Sequence, residues 1–108
     1  MATRSTIALS TQDGIRSIYC HWDGYEEGVG QALKDHWTTP EAIMELLDNG
    51  DLSSLGASLA ESVFYKDRGE DVPAHLFKSE GEWLDYAVSC GCEYAYLFAN
   101  GVWNVQAI

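Results

Sequence analysis

The chain has 108 residues, 46% of them apolar, and four Trp, six Tyr and three Phe. That composition excludes disorder and fits a single domain spanning residues 1–108. Six Lys and Arg face seventeen Asp and Glu, a formal net charge of −11. The value exceeds the magnitude of about 2–8 that solubility asks of a small domain. Nucleic acid and anionic membranes reward Lys and Arg, so both are disfavoured as partners, and a basic protein surface is favoured.

No apolar run approaches the length of a membrane span. The opening "MATRSTIALS" alternates polar and apolar residues without a hydrophobic signal core, so a cytosolic protein is expected. Three cysteines do not make a disulfide framework there.

In chain order, Arg4 to Leu9 alternate as a strand, Thr11-Gln12-Asp13-Gly14 is a turn whose Asp-Gly pair suits positive φ, and Ile15 to Trp22 return as a second strand. On that strand Ile18, Cys20 and Trp22 share a face and are expected in the core. Asp23 and Gly24 end the strand. From about Tyr25 the period is helical, with Val29, Leu33 and Trp37 as the apolar stripe. Thr39 and Pro40 predict the cap and first position of a second helix, buried through Ile43, Leu46 and Leu47 and ended by Asn49-Gly50.

Asp51 to Phe77 has no clear period, and "KDRGEDVP" reads as an exposed loop. Ser79 and Glu82 predict a capping box, opening a helix with Trp83, Leu84, Ala87 and Val88 inward. Asn100-Gly101 predicts a closing hairpin that sets Phe98 against Trp103 and Tyr96 against Val105. The expected fold is α+β: an antiparallel sheet of about four strands from the N- and C-terminal hairpins, with about three helices on one face.

Candidate chemistry is sparse. Cys20-His21 with Cys90 and Cys92 supply zinc-type donors, but the spacing is not that of a zinc knuckle and neighbours on a strand point oppositely. A thiol nucleophile at Cys20 needs His36 or His75 from elsewhere, and nothing beside the cysteines lowers a thiol pKa. Gly24, Gly28 and Gly30 lack the Lys-Ser/Thr of a phosphate loop. No catalytic residue, cofactor or metal is therefore expected.

The charge map is more specific. Residues 1–22 carry +1, 23–51 carry −7, 52–93 carry −5 and the final hairpin none. Glu41, Glu45 and Asp48 form one helical stripe, with carboxylates a turn apart separated by about 6 Å. A merely soluble surface mixes both signs. Such a row imitates the phosphates of duplex DNA, which basic grooves are built to hold. The candidate contacts are Glu26, Glu27, Asp35, Glu41, Glu45, Asp48 and Asp51, with Glu70 and Asp71 as a second patch. His21 and Tyr25 have no assigned role.

The segments "MATRSTIAL", "YCHWDGY", "VGQALKDHW", "GDLSSLG" and "KDRGE" resemble a family of small acidic bacteriophage and prophage proteins. The likeness covers nearly the whole chain. It departs in the middle, where "ASLAESVFYK" stands in place of a longer segment. The resemblance extends to anti-CRISPR inhibitors of type I surveillance complexes that act by mimicking DNA. It implies a partner surface where Lys and Arg grip duplex DNA, in the cytoplasm of the bacterial host, with no direct nucleic-acid or membrane contact. Two alternatives stand beside it: a phage structural or assembly module held by exposed aromatics, and a small enzyme using Cys20 and His21.

Overall fold

The computed structural model describes residues 2–108. Strands β1 (Ser5–Thr11) and β2 (Gly14–Cys20) form the first hairpin, turning at Gln12 and Asp13. A π-helical turn, Glu26–Gly30, runs directly into α1 (Gln31–His36), followed by α2 (Pro40–Asp48). Three short strands come next: β3 (Leu52–Ser54), β4 (Val63–Phe64) and β5 (His75–Phe77). Helix α3 (Glu80–Ser89) precedes the closing hairpin, β6 (Tyr94–Ala99) and β7 (Val102–Ala107).

The α+β class holds, but the sheet is larger and of mixed direction. It has seven strands in the order β4-β3-β2-β1-β6-β7, with β5 also on β2. The two hairpins join through parallel pairing of β1 and β6, from Ser5↔Tyr94 to Leu9↔Phe98. The far edge of β2 is used twice: β3 pairs parallel at Cys20, and β5 antiparallel at Ile15 to Ser17. Both additions come from the segment without a period, because strands of two or three residues are too short to show one.

The helices lie on both faces of the sheet rather than on one. Ile7, Leu9, Ile18, Cys20, Tyr96 and Phe98 pack against Val29, Leu33, Trp37, Ile43, Leu46 and Leu47. The opposite face is smaller. There Ala8 and Ala95 leave room for Trp83 of α3, with Ile15 and Leu97 around it. The Trp83 indole donates to the Thr6 hydroxyl at 2.9 Å, so the one polar atom of this buried ring is satisfied.

The local signals hold where they are strongest. The Thr39 hydroxyl accepts from the Ala42 amide, and the Ser79 hydroxyl from the Glu82 amide. The Glu82 carboxylate accepts from the Lys78 amide, one residue before the position a capping box predicts. Asn100 and Gly101 both take positive φ, and Phe98↔Trp103 and Tyr96↔Val105 pair as the two-residue turn requires. Val88 does not turn inward: it is 60% exposed on the outer side of α3.

Candidate interaction surface

Trp22 is the main departure from the sequence pattern. Alternation along β2 predicts it in the core with Ile18 and Cys20, which are buried. The strand stops at Cys20, and the Trp22 amide donates to Ser53 O as the chain leaves the sheet. The indole is 43% exposed and stands edge-on to His21, with ring centroids 4.7 Å apart. The Nδ1 of His21 shares a hydrogen with the Tyr19 hydroxyl at 2.8 Å.

The bend that follows is tightly held. Asp23 sits at φ 58°, in the left-handed region that a non-glycine residue enters at a cost. Gly24 is buried, and a Cβ there would lie 2.6 Å from Thr3 O and 2.8 Å from the Ser5 Cβ. Its amide donates to Thr3 O, and its carbonyl accepts from the Tyr96 hydroxyl at 2.7 Å. The Val29 amide reaches back to Asp23 O. The exposed Tyr25 donates its phenol hydrogen to the Asp23 carboxylate at 3.1 Å. This frame fixes Trp22 and Tyr25 outward, beside the first acidic pair of the helical layer. The Asp23-Gly24 step, beginning three positions after Cys20, is the sequence signal that the chain turns there.

Glu26 and Glu27 are exposed in the first turn after Tyr25. Asp35 is exposed on α1, where its carboxylate accepts from Gln31. Glu41 and Glu45 are exposed on the outer side of α2, opposite the buried Ile43, Leu46 and Leu47. Asp48 ends the same stripe but is paired, with Arg16 at 2.9 Å, the one ion pair among the described residues. Glu70 and Asp71 are exposed in the loop after Gly69. Lys66 donates to the Asn49 side chain and Asp51 N–H to Val72 O, so this loop runs beside the end of α2.

Asp51 does not belong to the surface set. Its carboxylate accepts the Tyr19 amide at 2.9 Å, in the gap between β3 and β5 on the β2 edge. Burial pushes its pKa above the usual carboxylate range, opposed by the Tyr19 hydrogen bond and the nearby His75. Further acids, Glu80, Glu82 and Asp85, are exposed on α3, so negative charge covers both faces of the sheet.

The cysteines divide between the two sides of the sheet. Cys20 is fully buried on the α1–α2 side, and burial pushes its thiol up to about 12, with Sγ 3.6 Å from Trp22 O. Cys90 and Cys92 line a cavity on the α3 side with Tyr19, Asp51, His75 and Tyr86. The Cys92 thiol is likewise pushed up to about 12 by burial. A thiol so disfavoured as thiolate is a poor nucleophile. The cavity measures about 10 Å³, room for about one water and no substrate. No group of three His, Cys, Asp or Glu among the described residues converges on a metal position.

A wider hollow of about 600 Å³ lies between the β1–β2 turn, the start of α2 and the Asn100-Gly101 turn. Glu80 is its only ionisable lining residue among those described. The α1–α2 side thus presents exposed carboxylates beside two outward aromatics, Trp22 and Tyr25, while the Tyr86 hydroxyl and His75 Nε2 share a hydrogen at 3.2 Å on the α3 side. Comparison with protein-family models, with curated proteins and with solved structures finds no match to the chain.

Proposed function

We propose that this chain is an acidic binding protein that occupies a cationic, duplex-gripping surface on a partner protein. The carboxylates of the α1–α2 layer stand where phosphates would. The supporting observation is the imbalance on that layer. Glu26, Glu27, Asp35, Glu41 and Glu45 are all exposed, and none is engaged by a cation of its own chain among the described residues. Their attraction is available to a partner's Lys and Arg, and it also steers the encounter. Asp51, half-buried on the Tyr19 amide, falls outside the contact set. Asp48, exposed at the surface but paired with Arg16, is left out of it, while Glu70 and Asp71 extend the set past the end of α2.

Taken with the resemblance to phage inhibitors, the partner is the DNA-binding surface of a type I CRISPR surveillance complex, met in the host cytoplasm. No described helix is long and apolar enough to cross a membrane, which is compatible with that setting.

The test is capture of the partner from host lysate by the tagged chain, followed by competition with duplex DNA. Duplex DNA is expected to displace the chain, and added salt to weaken the complex as screening rises. Glu41→Lys with Glu45→Lys should abolish capture while leaving the fold intact, whereas Asp48→Asn should capture as the parent does. Capture that ignores both the reversal and competing DNA refutes the reading.

A second reading, a phage assembly module held by aromatics, draws on the outward Trp22 and Tyr25. Its complex would survive high salt and fail on Trp22→Ala.

A further inference from the structure

One long edge of the sheet is left open. Strand β7 pairs only with β6, in the register running from Ala99↔Val102 to Tyr94↔Ala107. In an antiparallel ladder, residues that exchange hydrogen bonds alternate with residues whose N–H and C=O point away. The two-residue turn makes Val102 a bonded position. Ile108 donates to Glu93 O at 2.9 Å, which continues the bonded series through Asn104 and Gln106. The backbone groups of Trp103, Val105 and Ala107 therefore face outward, with no strand beyond them.

Exposed edges are ordinarily guarded by charge, proline, a bulge or brevity. The opposite edge of this sheet is guarded. There β4 has two residues, its pairing with β3 is irregular, and Lys66, Asp67 and Arg68 follow closely. By contrast β7 has six residues and pairs in unbroken register. It carries no charge and no proline, and neither does β6. Val102 is 56% exposed and Val105 37%.

Charge selects the occupant. Two copies at −11 each repel wherever their carboxylates meet. The β6–β7 hairpin carries no charge of its own. Of the charged side chains among the described residues, only Glu80, beside Asn104 and Val105, and Lys34, beside Val102 and Trp103, line the hollows along β7. Copies therefore approach there at lower cost than over the carboxylates of the α1–α2 layer. A cationic partner is drawn to the carboxylates instead. An antiparallel strand edge also satisfies a two-fold axis with itself.

We infer that β7 pairs antiparallel with β7 of a second copy, about a two-fold axis at Val105, to give one sheet running through both molecules. Val105 lies opposite its own counterpart and Trp103 opposite Ala107. The outward groups of the two strands then combine in about six hydrogen bonds.

Light scattering over a concentration series, with amide hydrogen exchange, tests this. The parent is expected to approach twice the 12.0 kDa chain mass as concentration rises. The amides of Trp103, Val105 and Ala107 should gain protection with the dimer, while those of Val102, Asn104 and Gln106 are protected throughout. Salt should tighten the dimer by screening the repulsion, the reverse of its effect on a basic partner.

Val105→Pro removes an outward N–H and leaves the β6 ladder intact, so it should hold the chain at 12.0 kDa with unchanged circular dichroism. If that variant fails to fold, Val105→Lys sets like charges across the axis and should have the same effect. The inference is overturned if the parent stays monomeric at millimolar concentration. It is also overturned by a dimer that keeps those three amides exchanging freely, or by one that both folded variants leave unchanged.

Discussion

The buried Tyr96 hydroxyl donates to the Gly24 carbonyl at 2.7 Å, across seventy-two positions of sequence. That bond joins the middle of β6 to the bend that displays Trp22. Burial, with Glu26 and Glu27 nearby, pushes the Tyr96 phenol well above its ordinary value, so it stays a donor.

Tyr96→Phe keeps the ring and strands the Gly24 carbonyl, so it is expected to cost about 1–3 kcal/mol. Gly24→Ala forces a methyl against Thr3 O, at roughly 1–3 kcal/mol for overpacking. The two changes strain one joint, and the double variant should lose less than the sum. Urea denaturation of the three variants measures it.

Trp22→Ala separates the sequence expectation from the observed position. A core tryptophan costs roughly 3–5 kcal/mol on truncation, and Trp83→Ala should fall in that range. Trp22 is exposed, and its loss should cost less than about 1 kcal/mol. A thermal denaturation midpoint for Trp22→Ala as low as that of Trp83→Ala would put the indole back inside.

Asp51 predicts a pH dependence. Its folded pKa lies above the unfolded value, so the ionised carboxylate burdens the fold. The group's contribution is most favourable below the ordinary carboxylate range and is lost as pH rises through the raised folded value. Asp51→Asn retains an oxygen for the Tyr19 amide without the charge. It should be more stable than the parent at neutral pH, with the gain vanishing in acid. Asp51→Ala leaves that amide unpaired and should lose about 1–3 kcal/mol. Paired denaturation curves at acidic and neutral pH give the sign.

What was legible in the sequence was local. The caps at Thr39 and Ser79 and the Asn100-Gly101 turn rest on residues a few positions apart, and each forms in the structure. The stripe of Val29, Leu33 and Trp37 is buried as its spacing predicts.

Features set by distant partners did not show. β3 and β5 are strands because β2 offers them an edge, and no period marks their three residues apiece. The second layer depends on Ala8 and Ala95 being small beneath Trp83, a fit between three distant positions. On the candidate surface, exposure of Glu41 and Glu45 followed from the buried face of α2. The commitments of Asp48 to Arg16 and of Asp51 to Tyr19 did not follow from anything nearby.

The thiols should react in order of access. Cys20 and Cys92 are buried with thiols pushed up to about 12, whereas Cys90 is partly open at the end of α3. Iodoacetamide at mildly alkaline pH should label Cys90 first in the native protein, and Cys20 only on unfolding. Peptide mapping by mass spectrometry reads the order, and early labelling of Cys20 would contradict its position.

The side-by-side run of β1 with β6 also dictates when this molecule can assemble. Ser5 waits for Tyr94 and Leu9 for Phe98, so the first hairpin to leave the ribosome has an unfilled flank until nearly all the chain has followed. Closing loops of that length before any reward makes for slow folding. In the interval the N–H and C=O groups along that flank of β1 have no strand to pair with, and a strand of another chain can take them.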